Sequence, residues 1–175
     1  MSKLLSFAML MMLLSSQLTF GQQPVSPATD EASRRVMERW VGDWSGGVAG
    51  AADAVVPHIA ATPDHAKVEW TLDNRFLRGT NFAKGDAPVG IWLMRYSPKS
   101  RKYQVWFFTS QGDATVWDGT WDDARETMSW KTTNAETGAT GTGHTRFVDN
   151  RQEWTMSVTQ DGRTTESSGS LRRSQ

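Results

Sequence analysis

From Pro88 to Thr133 the chain reads PVGIWLMRYSPKSRKYQVWFFTSQGDATVWDGTWDDARETMSWKTT, and no other stretch limits the fold as tightly. Four runs rich in β-branched and aromatic residues alternate there with short turns, and the stretch holds five of the nine tryptophans. Successive side chains of a strand point to opposite faces, so these runs predict an antiparallel sheet whose two faces are both largely apolar. Ser97-Pro98-Lys99-Ser100 suits a type I turn, with proline fixing the second position. Gln111-Gly112-Asp113 and Asp122-Asp123 supply the other two turns.

The same rhythm continues on both sides. Upstream, Lys67 to Leu72 and Arg75 to Lys84 flank a turn at Asp73-Asn74. Downstream, Thr140 to Val148, Gln152 to Gln160 and Arg163 to Arg172 are joined by Asp149-Asn150 and Asp161-Gly162. Asp-Gly between strand-like runs is a strong hairpin signal. With a first run near Trp44, the sequence holds ten strands, spaced at roughly 8–12 residues as in up-and-down β structure. An open sheet of that size would expose two unpaired edges, which closure removes. The expected fold is all-β: a single up-and-down antiparallel barrel of about ten strands with one short N-terminal helix, over residues 30–175. A chain of 175 residues suits one such domain.

The helix is expected from Asp30 to Val41. Thr29 can cap it, and Asp30 with Glu31 place negative charge in its first turn. Val36, Met37, Trp40 and Val41 form one apolar stripe, so it should lie as a lid on one end or face of the sheet. Residues 22–29, with Pro24 and Pro27, read as a linker. Residues 1–21 read as a signal peptide: Lys3, then the apolar run Leu4 to Leu14, then Thr19 and Gly21 as small residues before a cleavage point. The run is too short to remain as an anchor across a hydrocarbon core of roughly 30 Å. The expectation is an exported protein, periplasmic or secreted, with no membrane anchor after cleavage. Gly50 to Asp64, with Pro57, Pro63 and His58, reads as an irregular connection.

Charge and cysteine content narrow the classes further. Basic and acidic residues number 19 each and there is no cysteine. No field of one sign is available for nucleic acid, and disulfides, thiolate chemistry and cysteine-bound metals are excluded.

Several segments together resemble a known bacterial family. They are Gly42-Asp43-Trp44 after the short helix, the run from Trp70 to Leu77, the Tyr96-Ser97-Pro98-Lys99 hairpin with Tyr103 and Trp106 after it, and Asp118 to Asp122. The chain from about Val36 onward is similar to a lipocalin-like family of the calycin group, described only as a domain of unknown function. The resemblance implies a barrel whose first tryptophan plugs one end under a basic residue of the last strand. That places Arg172 or Arg173 on Trp44. It implies no enzymatic activity and no particular ligand. The chain departs from lipocalins in lacking cysteine, and ten strands fit fatty-acid-binding-type barrels better than eight-stranded ones.

The residue types suggest where a ligand would sit. Trp92, Trp106, Trp117, Trp130 and Trp154 lie in alternating strand patterns. They serve either as barrel core or as the lining of a pocket for a flat or greasy molecule. Nine tryptophans exceed what a compact core of this size needs, so some of them should line a cavity. The run from Tyr103 to Ser110 is apolar on both faces, with Tyr103, Val105 and Phe107 on one and Trp106 and Phe108 on the other. One face must look inward, and the other needs a cover, for which the helix is the candidate. Gln104 shares the Trp106 face. Arg78 and Arg146 are strand residues. Turned inward, either guanidinium would hold a carboxylate; turned outward, its stem would lie on apolar surface.

No catalytic group, cofactor or metal site is expected. His58, His65 and His144 show no metal-ligand spacing, Asp122-Asp123 belongs to a turn, and no nucleophile motif is present. The sequence therefore points to a non-enzymatic barrel with a small, mostly apolar molecule inside, through Arg78, Trp92, Gln104, Trp106, Trp117, Trp130, Arg146 and Trp154. Two alternatives stand beside it: a Trp-rich β-sandwich that binds polysaccharide, and a barrel enzyme or haem protein that uses His144.

Overall fold

The computed structural model describes residues 31–49 and 64–174, without the side chains of 48 and 49. The expected signal peptide, the linker, His58 and the helix cap at Thr29 lie outside the described residues.

One helix, α1 (Glu31–Glu38), precedes β1 (Gly42–Ala49), β2 (His65–Thr71), β3 (Phe76–Phe82), β4 (Pro88–Ser97) and β5 (Lys102–Thr109). The chain continues as β6 (Ala114–Asp122), β7 (Thr127–Thr133), β8 (Thr140–Val148), β9 (Arg151–Gln160) and β10 (Arg163–Arg173). Every consecutive pair is antiparallel, and β1 also pairs with β10, which closes a ten-stranded barrel. No free strand edge is left in such a closed ring. The closed ring also overturns the two-layer sandwich considered above, since all ten strands belong to one sheet.

The turns follow local chemistry. Asp161 and Gly162 both take positive φ, 52° and 74°, as the tight hairpin between right-twisted strands requires. The β2–β3 connection is longer than Asp73-Asn74 alone. Leu72, Asp73 and Asn74 have φ of 51°, 55° and 58°, and the Arg75 amide donates to the Leu72 carbonyl at 3.2 Å. Three left-handed residues in a row carry the chain round here, and leucine is the one least suited to that conformation.

α1 ends three residues earlier than the apolar stripe suggests. The Arg39 and Trp40 amides donate to carbonyls three residues back, Val36 and Met37, at 3.2 and 3.0 Å, so the last turn is 3₁₀-like. That tightening drives Trp40 into the end of the barrel. Its ring meets Phe147 edge-on with centroids 4.5 Å apart, and Trp121 and Trp130 at 6.4 and 6.3 Å. Val36 and Met37 are buried beneath it. The helix thus plugs one end of the barrel and does not cover the outer face of β5. Trp106 and Phe108 lie on that outer face, beside Ile91 and Val116, and Ile91, Phe108 and Val116 keep 42, 39 and 46% of their surface exposed.

The plugged end is tied by polar contacts. The Trp70 indole donates to Glu38 at 2.8 Å with Arg34 over its ring, and Arg39 pairs with Glu126 at 2.7 Å. The latter pair is largely exposed and contributes little to stability. The carbonyls at the end of the helix receive stronger partners. The Trp44 indole donates to the Trp40 carbonyl at 2.7 Å, and the Arg173 guanidinium donates to the Arg39 carbonyl at 2.7 Å. These are groups that a helix terminus leaves unpaired and that a basic side chain satisfies well.

Candidate functional site

Inside the barrel, glycines decide how the tryptophans lie. Trp92 of β4 stands opposite Gly79 of β3, Trp130 of β7 opposite Gly119 of β6, and Trp154 of β9 opposite Gly169 of β10. In each pair both residues face inward. A Cβ built on Gly79 would overlap the Trp92 ring, one on Gly119 would come within 2.5 Å of Trp130, and one on Gly169 within 2.7 Å of Trp154. Trp117 of β6 reaches across β7 to Gly141 of β8, where a Cβ would lie 2.6 Å from its Cη2. Each indole is therefore folded flat against the wall, over a neighbour that has no side chain. Burying one ring in this way removes on the order of 200 Å² from water without filling the axis of the barrel.

What is left is a cavity of about 180 Å³, far above the roughly 10–15 Å³ that a single water needs. Six of the nine tryptophans line it: Trp40 and Trp44 at the plugged end, then Trp92, Trp117, Trp130 and Trp154 along the wall. Ala66, Val68, Met94, Val105, Phe107, Met156 and Leu171 add to the apolar lining. Among the described residues the polar side chains are Asn81, Thr145, Gln152 and Ser167, and none carries charge. Two of them serve the indoles. Asn81 Oδ1 accepts from Trp92 Nε1 at 3.4 Å, and Thr145 Oγ1 accepts from Trp130 Nε1 at 3.0 Å. Ser167 is buried, and its Oγ has no partner among the described residues.

The residues singled out in the sequence divide by face. Trp92, Trp117, Trp130 and Trp154 come together around the cavity. Arg78, Gln104, Trp106 and Arg146 do not line it. Each lies one residue out of step with the inward set on its strand, so its side chain leaves the barrel. Trp106 carries Arg95 over its ring at 5.2 Å, and Arg95 also donates to Gln104. Gln104 in turn donates to Asp118 at 3.4 Å. This is an outer-wall cluster of aromatic and charged groups. Arg78 and Arg146 are exposed on the outer wall, so the inward guanidinium that a buried carboxylate would need is absent at both positions. His144 is also exposed. Its Nδ1 lies 3.2 Å from Ser129 Oγ on the outer face, away from the interior.

At the plugged end Trp44 is 2% exposed, and it is Arg173 that lies over its ring, 4.8 Å from the centroid. Of the two arginines that the sequence offered for this role, Arg172 is displaced from it by parity. Trp44 pairs with Arg173 in register, whereas Arg172 pairs with Ser45 on the outward side.

Sequence reasoning missed Asn81, Thr145, Gln152 and Ser167. The signal that could have found three of them is alternation: Thr145 shares a face with Phe147, Gln152 with Trp154, and Asn81 with Leu77. Ser167 sits in the run ESSGS, where alternation between small polar residues carries no information.

The fold and interior define a class: a closed ten-stranded antiparallel barrel, plugged at one end by a helix and hollow along an apolar axis. Among solved structures, the crystal structure of Rv2717c from M. tuberculosis is similar to it with a TM-score of 0.57 and 13% identity, covering 85% of this chain and all of that one. At that identity the likeness extends to the fold alone. No protein-family model matches the chain, and the search of curated proteins found no match.

Proposed function

We propose that this protein is an exported barrel that binds a small, mostly apolar molecule in its interior. The observation that carries the reading is the Gly–Trp pairing. Four indoles lie on the wall over glycines and leave the axis open. A barrel selected for stability alone gains most by filling its centre, since every void forfeits contacts on its lining. Aromatic walls with a few neutral polar groups suit a flat or greasy molecule. The export part of the reading is supported by the sequence of residues 1–21.

Two experiments test the two parts. The mature chain, purified and extracted with organic solvent, is assayed for a carried molecule, then titrated with fatty acids, retinoids and haem while tryptophan emission is followed. The expected result is saturable quenching by at least one neutral or weakly polar compound; no carried molecule and no quenching by any of them contradicts the binding. For export, the full chain and one lacking residues 1–21 are fractionated. Retention of both in the cytoplasm contradicts that part.

A further inference from the structure

We propose that the cavity selects uncharged molecules bearing a hydroxyl or carbonyl group, and that Ser167 is the residue that meets that group. The inference rests on reading the interior as a ligand site, and it adds the class of ligand. Ser167 lines the cavity, is only 6% exposed, and its Oγ has no hydrogen-bond partner among the described residues. A buried hydroxyl left unpaired is unfavourable, and alanine in its place would cost nothing in packing. Its cross-strand neighbour is Met156, which offers only a weak acceptor. Thr115 Oγ1 also lacks a partner among the described residues, yet Thr115 does not line the cavity.

The charge of the ligand follows from the rest of the lining. Asn81, Thr145 and Gln152 are neutral, and among the described residues no charged side chain lines the cavity. A carboxylate placed there would be stripped of water with no counterion, which is strongly unfavourable. The candidate cations are committed elsewhere. Arg78 and Arg146 are exposed on the outer wall, and Arg173 lies on Trp44 and donates to the Arg39 carbonyl. Hydrogen bonding at Ser167 and Asn81 remains the means of orienting a bound molecule, since the Asn81 amide nitrogen is not used by the Trp92 contact.

Naphthalene, 2-naphthol and 2-naphthoate test this, because they share one ring system and differ only in a hydroxyl or a charge. Their affinities at pH 7 are measured by displacement of the neutral dye N-phenyl-1-naphthylamine from the mature chain and from Ser167→Ala. In the unmodified chain, 2-naphthol should bind about 3- to 10-fold more tightly than naphthalene, as one neutral hydrogen bond allows, and 2-naphthoate should bind most weakly. Ser167→Ala should bring 2-naphthol down to the level of naphthalene, leave naphthalene unchanged and melt no lower than the parent. Ser167→Cys, close in shape but a weak donor, serves as the second variant and should also lose the preference. Binding of 2-naphthoate as tight as that of 2-naphthol, or a preference for 2-naphthol that survives both variants, overturns the inference and leaves the carrier reading standing. Failure of the dye and all three probes to bind overturns both.

Discussion

Gly79 of β3 and Trp92 of β4 face each other across one rung of the barrel, and the indole occupies the space a side chain at Gly79 would need. The pair shows in miniature how this chain holds many large rings and still keeps an open axis. It also makes a clean experiment. Gly79→Ala should push Trp92 off the wall toward the cavity, lowering stability by about 1–3 kcal/mol as overpacking does, and weakening binding of a cavity dye. Gly47→Ala is the control, because a Cβ there meets nothing within 4 Å; its effect should stay within about 0.5 kcal/mol. Urea unfolding and dye titration read both quantities. Equal effects from the two substitutions would refute the pairing.

The two arginines that end β10 should behave differently. Arg173 lies over Trp44 and donates to the Arg39 carbonyl, while Arg172 is exposed on the outer wall. Arg173→Met removes a charged hydrogen bond and a cation–π contact, a loss of roughly 1–3 kcal/mol. Arg172→Met should change stability by about 0.5 kcal/mol or less. Denaturant midpoints of the two variants measure the contrast, and the reverse order would contradict the register described for β1 and β10.

Outer-wall residues should be silent in binding. Arg78→Ala, Arg146→Ala and His144→Ala each alter an exposed side chain that does not line the cavity. Dye affinity should remain within about twofold of the parent for all three, a change well under 1 kcal/mol. A tenfold loss from any one of them would mean that the ligand sits on the outside.

Leu72 offers a stabilising change. It is 60% exposed and has a φ of 51°, a conformation that asparagine adopts more readily than leucine. Leu72→Asn should gain roughly 0.5–1 kcal/mol, seen as a higher melting temperature. A lower one would show that the exposed leucine makes contacts that matter more than its backbone.

Much of the fold was legible because the turns announce themselves. Ser97-Pro98, Asp149-Asn150 and Asp161-Gly162 punctuate the strands, and the spacing between them gives ten strands closed into one barrel. The interior was harder to read where alternation loses contrast. In β5, Val105 and Phe107 line the cavity while Trp106 and Phe108 face out, yet both sets are apolar. Arg172 and Arg173 differ only in parity, and parity follows from the pairing of β10 with β1, a contact remote in sequence. The glycines were present in the sequence all along. Their meaning needed register, since Gly79 meets Trp92 only once a connection through Gly85 and Asp86, with an irregularity at Asn81/Phe82, has set β3 against β4.

The most direct test of an open, aromatic-walled axis is the stoichiometry and site of N-phenyl-1-naphthylamine binding to the mature chain, followed by energy transfer from tryptophan to dye. The account predicts one saturable site per chain, blue-shifted dye emission, and loss of that signal in Gly79→Ala but not in Gly47→Ala. Dye emission that stays as in water, or binding that ignores the Gly79 substitution, would contradict it.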